Sequence, residues 1–256
     1  MTDLRAAPIA VFDSGVGGIG VLREVKKLLP HENLLYFGDG AMAPYGEKPK
    51  EVIRELVFHH ASSLLSRAKA LVLACNTATA VGAEALRGAY PTVPIIGMEP
   101  AIKPALGVAR HPRILILATP TTLREAKLNA LLRRYADRAV FDKCPAPRLV
   151  SFVEAGLFWG PEVDRYLQEI LAPFSGACRP DAVVLGCTHF PFAKAAILRY
   201  FGTDMPLFDG AEGTAKELLR RLTAAKLLNP AVSKGTITLS GSAPQALPLY
   251  QKLLNA

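Results

Sequence analysis

Leu71-Val72-Leu73-Ala74-Cys75-Asn76-Thr77 and Val183-Val184-Leu185-Gly186-Cys187-Thr188-His189 nearly repeat each other. Each is an apolar run that ends in a small residue, then a cysteine, then two polar residues. An apolar run this short, rich in leucine and valine, reads as a strand buried on both faces of a parallel sheet. Each strand then delivers a thiol to the loop at its carboxyl end, where open α/β sheets bind small molecules.

The same rhythm extends outward. Ile9-Ala10-Val11-Phe12 reads as a short buried strand, Asp13-Ser14-Gly15-Val16-Gly17-Gly18 as a turn of small residues, and Ile19 to Leu29 as a helix. Leu34 to Phe37 is a second strand, Gly38 to Gly46 a polar loop, and Lys50 to Ala68 carries apolar residues at helical spacing. A helix through Ala80 to Tyr90 and a strand at Pro94 to Gly97 follow the first cysteine. The pattern restarts at Arg113 to Ala118, with a polar turn Thr119-Pro120-Thr121-Thr122, a helix through Tyr135, another over Pro161 to Ala172, and the strand Ala182 to Gly186. First strand to cysteine strand takes about 62 residues in one half and about 68 in the other, which predicts a duplicated architecture. Strands alternating with helices predict an α/β fold of two pseudo-symmetric domains, each a mainly parallel sheet flanked by helices, with the active site between them. Met205 to Phe208 is expected to return the chain to the first sheet. That places one domain at 1–98 plus 207–256 and the other at 99–206, with a helix from Gly213 to Leu228, a last strand at Thr236 to Leu239 and a closing segment from Leu247 to Leu253.

Composition narrows the function. The chain has 256 residues, half of them hydrophobic, which supports one large α/β domain or two small ones and is too apolar for disorder. No apolar run reaches the ~18 to 20 residues that span a bilayer, and the start lacks a signal-peptide pattern, so a cytoplasmic protein without membrane attachment is expected. The net charge of +8 comes from 30 basic and 22 acidic residues scattered along the chain, with no basic arm and no interleaving of aromatic and basic residues, so nucleic acid is not the expected partner. Four cysteines stand at 75, 144, 178 and 187 without Cys-x-x-Cys spacing, which argues against a treble-clef zinc site or a thioredoxin-like redox pair. Cys144, beside Pro145, reads as a loop residue without a task, as does Cys178 in a Gly/Pro-rich stretch. Cys75 and Cys187 stand out because each lies just past an apolar run, among polar residues.

Two thiols facing across a substrate can take a proton from one side of a carbon and return it from the other, the chemistry of a cofactor-independent racemase. A thiol base works best with its pKa near the operating pH, and a helix N-terminus or a neighbouring cation makes its thiolate more available. Asn76, Thr77, Thr188 and His189 stand beside the two thiols, and Asp13 or His189 can tune them. The Asp13–Gly18 loop departs from Gly-x-Gly-x-x-Gly and lacks a following Gly-Lys-[Ser/Thr], so it reads as a tight loop that lets a ligand carboxylate approach backbone N–H groups. Its bland alternative is an N-cap aspartate. Tyr45 either donates to a ligand carboxylate or packs. No residue pattern calls for a metal or for a pyridoxal Schiff-base lysine.

At these points the chain resembles the glutamate racemases of the aspartate/glutamate racemase superfamily. The marks are Phe12-Asp13-Ser14-Gly15-Val16-Gly17-Gly18, Gly38-Asp39 with Pro44-Tyr45-Gly46, Ala74-Cys75-Asn76-Thr77-Ala78 and Gly186-Cys187-Thr188-His189-Phe190-Pro191, in the family's order and over nearly the whole chain. The resemblance implies cofactor-free interconversion of L- and D-glutamate, with D-glutamate supplied for peptidoglycan. It implies catalytic roles for Cys75 and Cys187, the first acting on D-glutamate and the second on L-glutamate, supported by Asp13, Glu154 and His189. It implies substrate contacts from Asp13, Ser14, Tyr45, Gly46, Asn76, Thr77, Thr188 and His189. A homodimer is the expected assembly. Gly40-Ala41-Met42-Ala43 replaces the usual Thr-Ala-Arg, Phe190-Pro191-Phe192 the frequent Tyr-Pro-Leu, and Asp209-Gly210 the usual Asp-Ser; none removes a catalytic match. Two further readings remain: a relative acting on another acidic substrate such as aspartate, and a two-lobed amino-acid-binding protein with no need of paired thiols.

Overall fold

In a computed structural model, which describes residues 3–256, the run Ile9–Asp13 is strand β1, with all five residues buried. Burial on both faces is what a β-branched and aromatic run without polar alternation requires. The chain continues through α1 (Ile19–Leu28), β2 (Leu34–Gly38), α2 (Lys50–Leu65), β3 (Ala70–Leu73), α3 (Asn76–Ala89) and β4 (Ile95–Gly97). Then come α4 (Ile102–Ala105), β5 (Arg113–Ala118), α5 (Pro120–Arg124), α6 (Ala126–Arg134), β6 (Val140–Pro145), α7 (Pro147–Glu154) and α8 (Pro161–Leu171). The last elements are β7 (Ala182–Gly186), α9 (Lys194–Phe201), β8 (Leu207–Phe208), α10 (Ala211–Ala224), β9 (Ile237–Gly241) and α11 (Leu247–Leu254).

These elements form two units. One runs to Met98 and resumes over Ala211–Ala256; the other is Glu99–Gly210. The first holds a sheet of order β4-β3-β1-β2-β9 and the second a sheet of order β6-β5-β7-β8. Every pairing is parallel. Read from its other edge, the second sheet is β8-β7-β5-β6, the order of β4-β3-β1-β2. The duplication expected from spacing is therefore a duplication of topology, and β9 is an addition to one copy. In each unit the first strand lies between the second and the third. The crossover direction reverses between β1 and β3, and between β5 and β7. Ligand crevices of open α/β sheets form at such switch points.

The sheet faces are covered as the side-chain alternation of a strand demands. In the first unit Ala10, Phe12, Leu71 and Leu73 pack with α2 and α3. The buried stripe of α2, Ile53, Val57, Ala61 and Leu64, keeps helical spacing. Gly82 lets α3 approach α2, since a Cβ there would lie 2.6 Å from Val57 Cγ1. In the second unit Leu115, Leu117, Val183 and Leu185 pack with α7, α8 and α9, while Ile114, Ile116, Ala182 and Val184 pack with α4 and α6. At the amino end of the first sheet Lys69 and Glu32 form a buried ion pair at 2.5 Å. Lys69 Nζ also donates to the Arg5 carbonyl, and Glu32 Oε1 accepts from the Asn229 backbone.

Three expectations are corrected. Leu207–Phe208 does not return the chain to the first sheet: β8 pairs with β7 (Val183↔Leu207), so the second unit extends to Gly210 rather than Pro206. Cys144 is in strand β6 rather than a loop. That strand is on the sheet edge and mostly unburied, so its residues carry no continuous apolar run. The helix expected through Tyr135 is broken into α5 and α6, with Glu125 extended between them. No helix among the described residues is long and apolar enough to cross a membrane.

Candidate active site

The carboxyl ends of β1 and β3 are adjacent, with Phe12 beside Leu73. Asp13 closes β1, is fully buried, and accepts from the Gly15 backbone through Oδ1 at 2.9 Å. Gly18 is required by this packing, since a Cβ there would lie 2.6 Å from Asp13 Cβ. Ser14 Oγ lies 3.5 Å from Cys75 Sγ and donates to it. Cys75 is the N-cap of α3, and its sulfur accepts from the Ala78 backbone at 3.4 Å. Amide donors and the positive end of a helix favour negative charge on that sulfur. Asn76 and Thr77 begin the helix, both buried. The amide oxygen and nitrogen of Asn76 have no hydrogen-bond partner within the protein. Buried polar atoms without a partner cost about 1–3 kcal/mol each, which marks Asn76 as a ligand-facing group.

Tyr45 occupies a short 3₁₀ turn, Tyr45–Glu47, and its ring is buried in the cluster that holds Phe12 and Cys75. Its hydroxyl donates to Asp39 Oδ2 at 2.7 Å. Burial pushes the phenol up, and the Asp39 hydrogen bond and the charges of Asp39, Cys75 and Asp13 push it further, so Tyr45 is neutral. Its one proton is committed to Asp39, not held for a ligand carboxylate; any grip from this turn comes from its backbone and ring. Asp39 is also buried, accepting from Ser242 Oγ at 2.5 Å and facing His60 Nε2 at 3.2 Å. Burial opposes the Asp39 carboxylate, yet hydrogen bonds from His60, Ser242 and Tyr45 hold its pKa below the ordinary value.

In the second unit Cys187 follows β7, beside the end of β5. His189 is buried with Nδ1 3.6 Å from Cys187 Sγ and 3.3 Å from Thr188 Oγ1. Its Nε2 donates to Glu154 Oε1 at 2.5 Å. Burial opposes the imidazolium, but hydrogen bonds to Cys187 and Glu154, and their charges, hold the His189 pKa well above its ordinary value. Glu154 ends α7, an element the sequence pattern left unassigned. Thr119, Thr121 and Thr122 are buried in the turn after β5, where Thr119 Oγ1 caps α5. They hold the place in this sheet that Asp13 and Ser14 hold in the other, and that equivalence was the available signal for them. Asp39 stood in a recognised motif without a role, and His60 and Ser242 carried no signal at all.

Asp13, Ser14, Tyr45, Gly46, Cys75, Asn76 and Thr77 thus lie in one unit, and Glu154, Cys187, Thr188 and His189 in the other. Among the other cysteines, Cys178 is exposed and Cys144 is buried, its thiol pushed up to about 12 by burial. Among the described residues no group of three or more His, Cys, Asp or Glu side chains is arranged to hold a metal ion.

Known proteins resemble this chain in sequence and fold. A family model described as Asp/Glu/Hydantoin racemase matches residues 21–218. A glutamate racemase of Clostridium botulinum is 42% identical over 257 residues, covering 99% of each chain. The structure of a Francisella tularensis glutamate racemase in complex with D-glutamate superposes with a TM-score of 0.85 at 27% identity, over 98% of this chain and 95% of that one. That of the Escherichia coli glutamate racemase, in complex with L-glutamate and the activator UDP-MurNAc-ala, gives 0.82 at 31% identity, over 96% and 95%. With a duplicated parallel fold, a thiol after the third strand of each copy, and identity of this level end to end, the chain belongs to the Asp/Glu/hydantoin racemase family.

Proposed function

We propose that this protein is a cofactor-independent glutamate racemase that interconverts L- and D-glutamate with two cysteine bases. The observation that carries the reading is the equivalence of Cys75 and Cys187: each follows the third strand of a sheet of the same order, at the switch point, next to a polar partner. The reaction requires one thiol acting on each face of the substrate's Cα. For L-glutamate, the Cys187 thiolate takes the α-proton and the Cys75 thiol gives a proton to the opposite face; D-glutamate reverses the roles. A cationic His189, held by Glu154, stabilises thiolate charge at Cys187. Ser14 and the first turn of α3 do so at Cys75. The α-carbon proton is weakly acidic, so catalysis rests on placement and on dipoles aimed at the developing carbanion. Asn76, with both amide ends unpartnered, Thr77 and Thr188 receive the α-amino acid end. Asp13 faces the ammonium, and Ser14 with the Tyr45–Gly46 turn takes the side-chain carboxylate.

The test is chiral chromatography of purified protein with L-glutamate, without added cofactor, with L-aspartate as control. Glutamate converts and aspartate does not; conversion of aspartate alone would overturn the substrate assignment. In heavy water the product carries deuterium at Cα. Cys75→Ser and Cys187→Ser each abolish full racemisation and keep the fold; parental rates in both would make the thiols structural. A supply of D-glutamate for peptidoglycan, a cytoplasmic location and a homodimeric state belong to the same reading. Rescue of a D-glutamate auxotroph tests the first, fractionation the second, and light scattering the third.

A further inference from the structure

Asp39 is a buried carboxylate that joins three separate parts of the first unit. Tyr45 Oη donates to its Oδ2 at 2.7 Å from the turn after β2. Ser242 Oγ donates to its Oδ1 at 2.5 Å from the segment after β9, and the same Oγ accepts from the Ala41 backbone at 3.1 Å. His60 Nε2 faces Oδ2 at 3.2 Å from the middle of α2. The imidazole ring is nearly enclosed, 4.7 Å from the Phe37 ring and 5.7 Å from the Phe12 ring between centroids. Phe12 immediately precedes Asp13, and the Tyr45 ring packs against Phe12 at 6.3 Å. Asp39 links His60 to Tyr45, since both face its Oδ2.

We propose that His60 is a positioning residue for glutamate, holding the Asp39 carboxylate so that Tyr45 fixes the 45–47 turn against the substrate's side-chain carboxylate. The inference rests on the glutamate reading above and names a contributor to it that no motif carries. Two hydroxyl donors leave a buried carboxylate with acceptor capacity unfilled. The imidazole N–H supplies a third donor, and a hydrogen bond to an ionised carboxylate is about twice as strong as a neutral one. With that support gone, Asp39 relaxes, the Tyr45 hydroxyl loses its fixed acceptor, and the turn moves. The turn grips the end of the substrate remote from Cα. A loss there weakens binding of substrate and transition state together, which raises KM and leaves kcat nearly unchanged.

The experiment compares steady-state racemisation of L-glutamate by the full chain and by three variants. His60→Phe keeps the aromatic packing and removes the donor. His60→Gln places an amide N–H at the reach of Nε2. His60→Asn carries the same amide one methylene short. The expected result is a KM for glutamate raised about tenfold in His60→Phe and His60→Asn, with kcat within about threefold of the parent, and restoration to within about threefold of the parental KM in His60→Gln. Asn and Gln differ by one methylene, so their comparison stands even if the apolar replacement fails to fold. An unchanged KM in the Asn variant overturns the inference. So does a KM equally raised in Asn and Gln, or a loss confined to kcat. If the parent racemises glutamate and the variants match it, only the inference fails; if the parent does not racemise glutamate, the functional reading fails and the inference with it.

Discussion

Gly18→Ala tests whether the Asp13–Gly18 loop exists to place a carboxylate. An ideal Cβ at Gly18 would lie 2.6 Å from Asp13 Cβ, 3.1 Å from Asp13 Cγ and 3.0 Å from the Tyr36 hydroxyl. Carbon–carbon contacts are comfortable at about 3.5–4.0 Å, so about 1 Å of movement is needed. Tyr36 is fixed by donating to the Gly15 carbonyl at 2.5 Å, and Asp13 is enclosed without exposure, so Asp13 must yield. Overpacking of this kind costs about 1–3 kcal/mol, which lowers Tm by roughly 3–10 °C in a chain of this size. A misplacement of about 1 Å in a catalytic group costs on the order of 100-fold in rate. The assay pairs thermal unfolding with racemisation in both directions by chiral chromatography. Gly88→Ala is the control: it lies in α3, the helix that Cys75 caps, and a Cβ there meets nothing within 4 Å. It keeps full activity and gains up to about 1 kcal/mol. Gly18→Ala with activity within threefold of the parent would refute the reasoning, because Asp13 would then tolerate displacement.

Lys69→Met leaves Glu32 charged and buried without its partner, and destabilises by about 3–5 kcal/mol in urea titration, while the further change Glu32→Leu recovers most of the loss. His189 has a raised folded pKa, so its pairing contributes stability fully present below the ordinary value of 6.5 and lost as pH rises through the folded pKa. The Tm deficit of Glu154→Gln is therefore largest near pH 6 and shrinks toward alkaline pH; a deficit that grows with pH would contradict the charged assignment. Iodoacetamide at neutral pH labels the exposed Cys178 in the native protein and leaves Cys144 unmodified, as peptide mass spectrometry reads out.

Much of the fold was legible because fully buried parallel strands are written as continuous apolar runs. The segments that became β1, β3, β5 and β7 were readable for that reason, and with them the positions of Asp13, Cys75 and Cys187 at carboxyl ends. Edge elements were not. β6 is mostly unburied and β8 has two residues, so neither imposes a hydrophobic pattern, and β8 was assigned to the wrong sheet. Glu154 was legible only by resemblance, since nothing in Ser151-Phe152-Val153-Glu154 marks a functional carboxylate.

By itself the sequence determined which residues carry reactive groups and on which side of each strand they emerge, because strand burial and loop chemistry are local properties of ten or so residues. The tertiary structure decided which of those groups are committed to one another. Strand order put the Asp13 loop beside Cys75 and the Thr119 turn beside Cys187. The packing of α2 brought His60 to Asp39, and Asp39 accepts the Tyr45 hydrogen bond that the sequence had left open for a ligand. The enclosure of His189 between Cys187 and Glu154 set its charge. Hydrogen-bond partners and pKa shifts depend on distances between residues remote in the chain, and those distances exist only once the sheets and helices have packed.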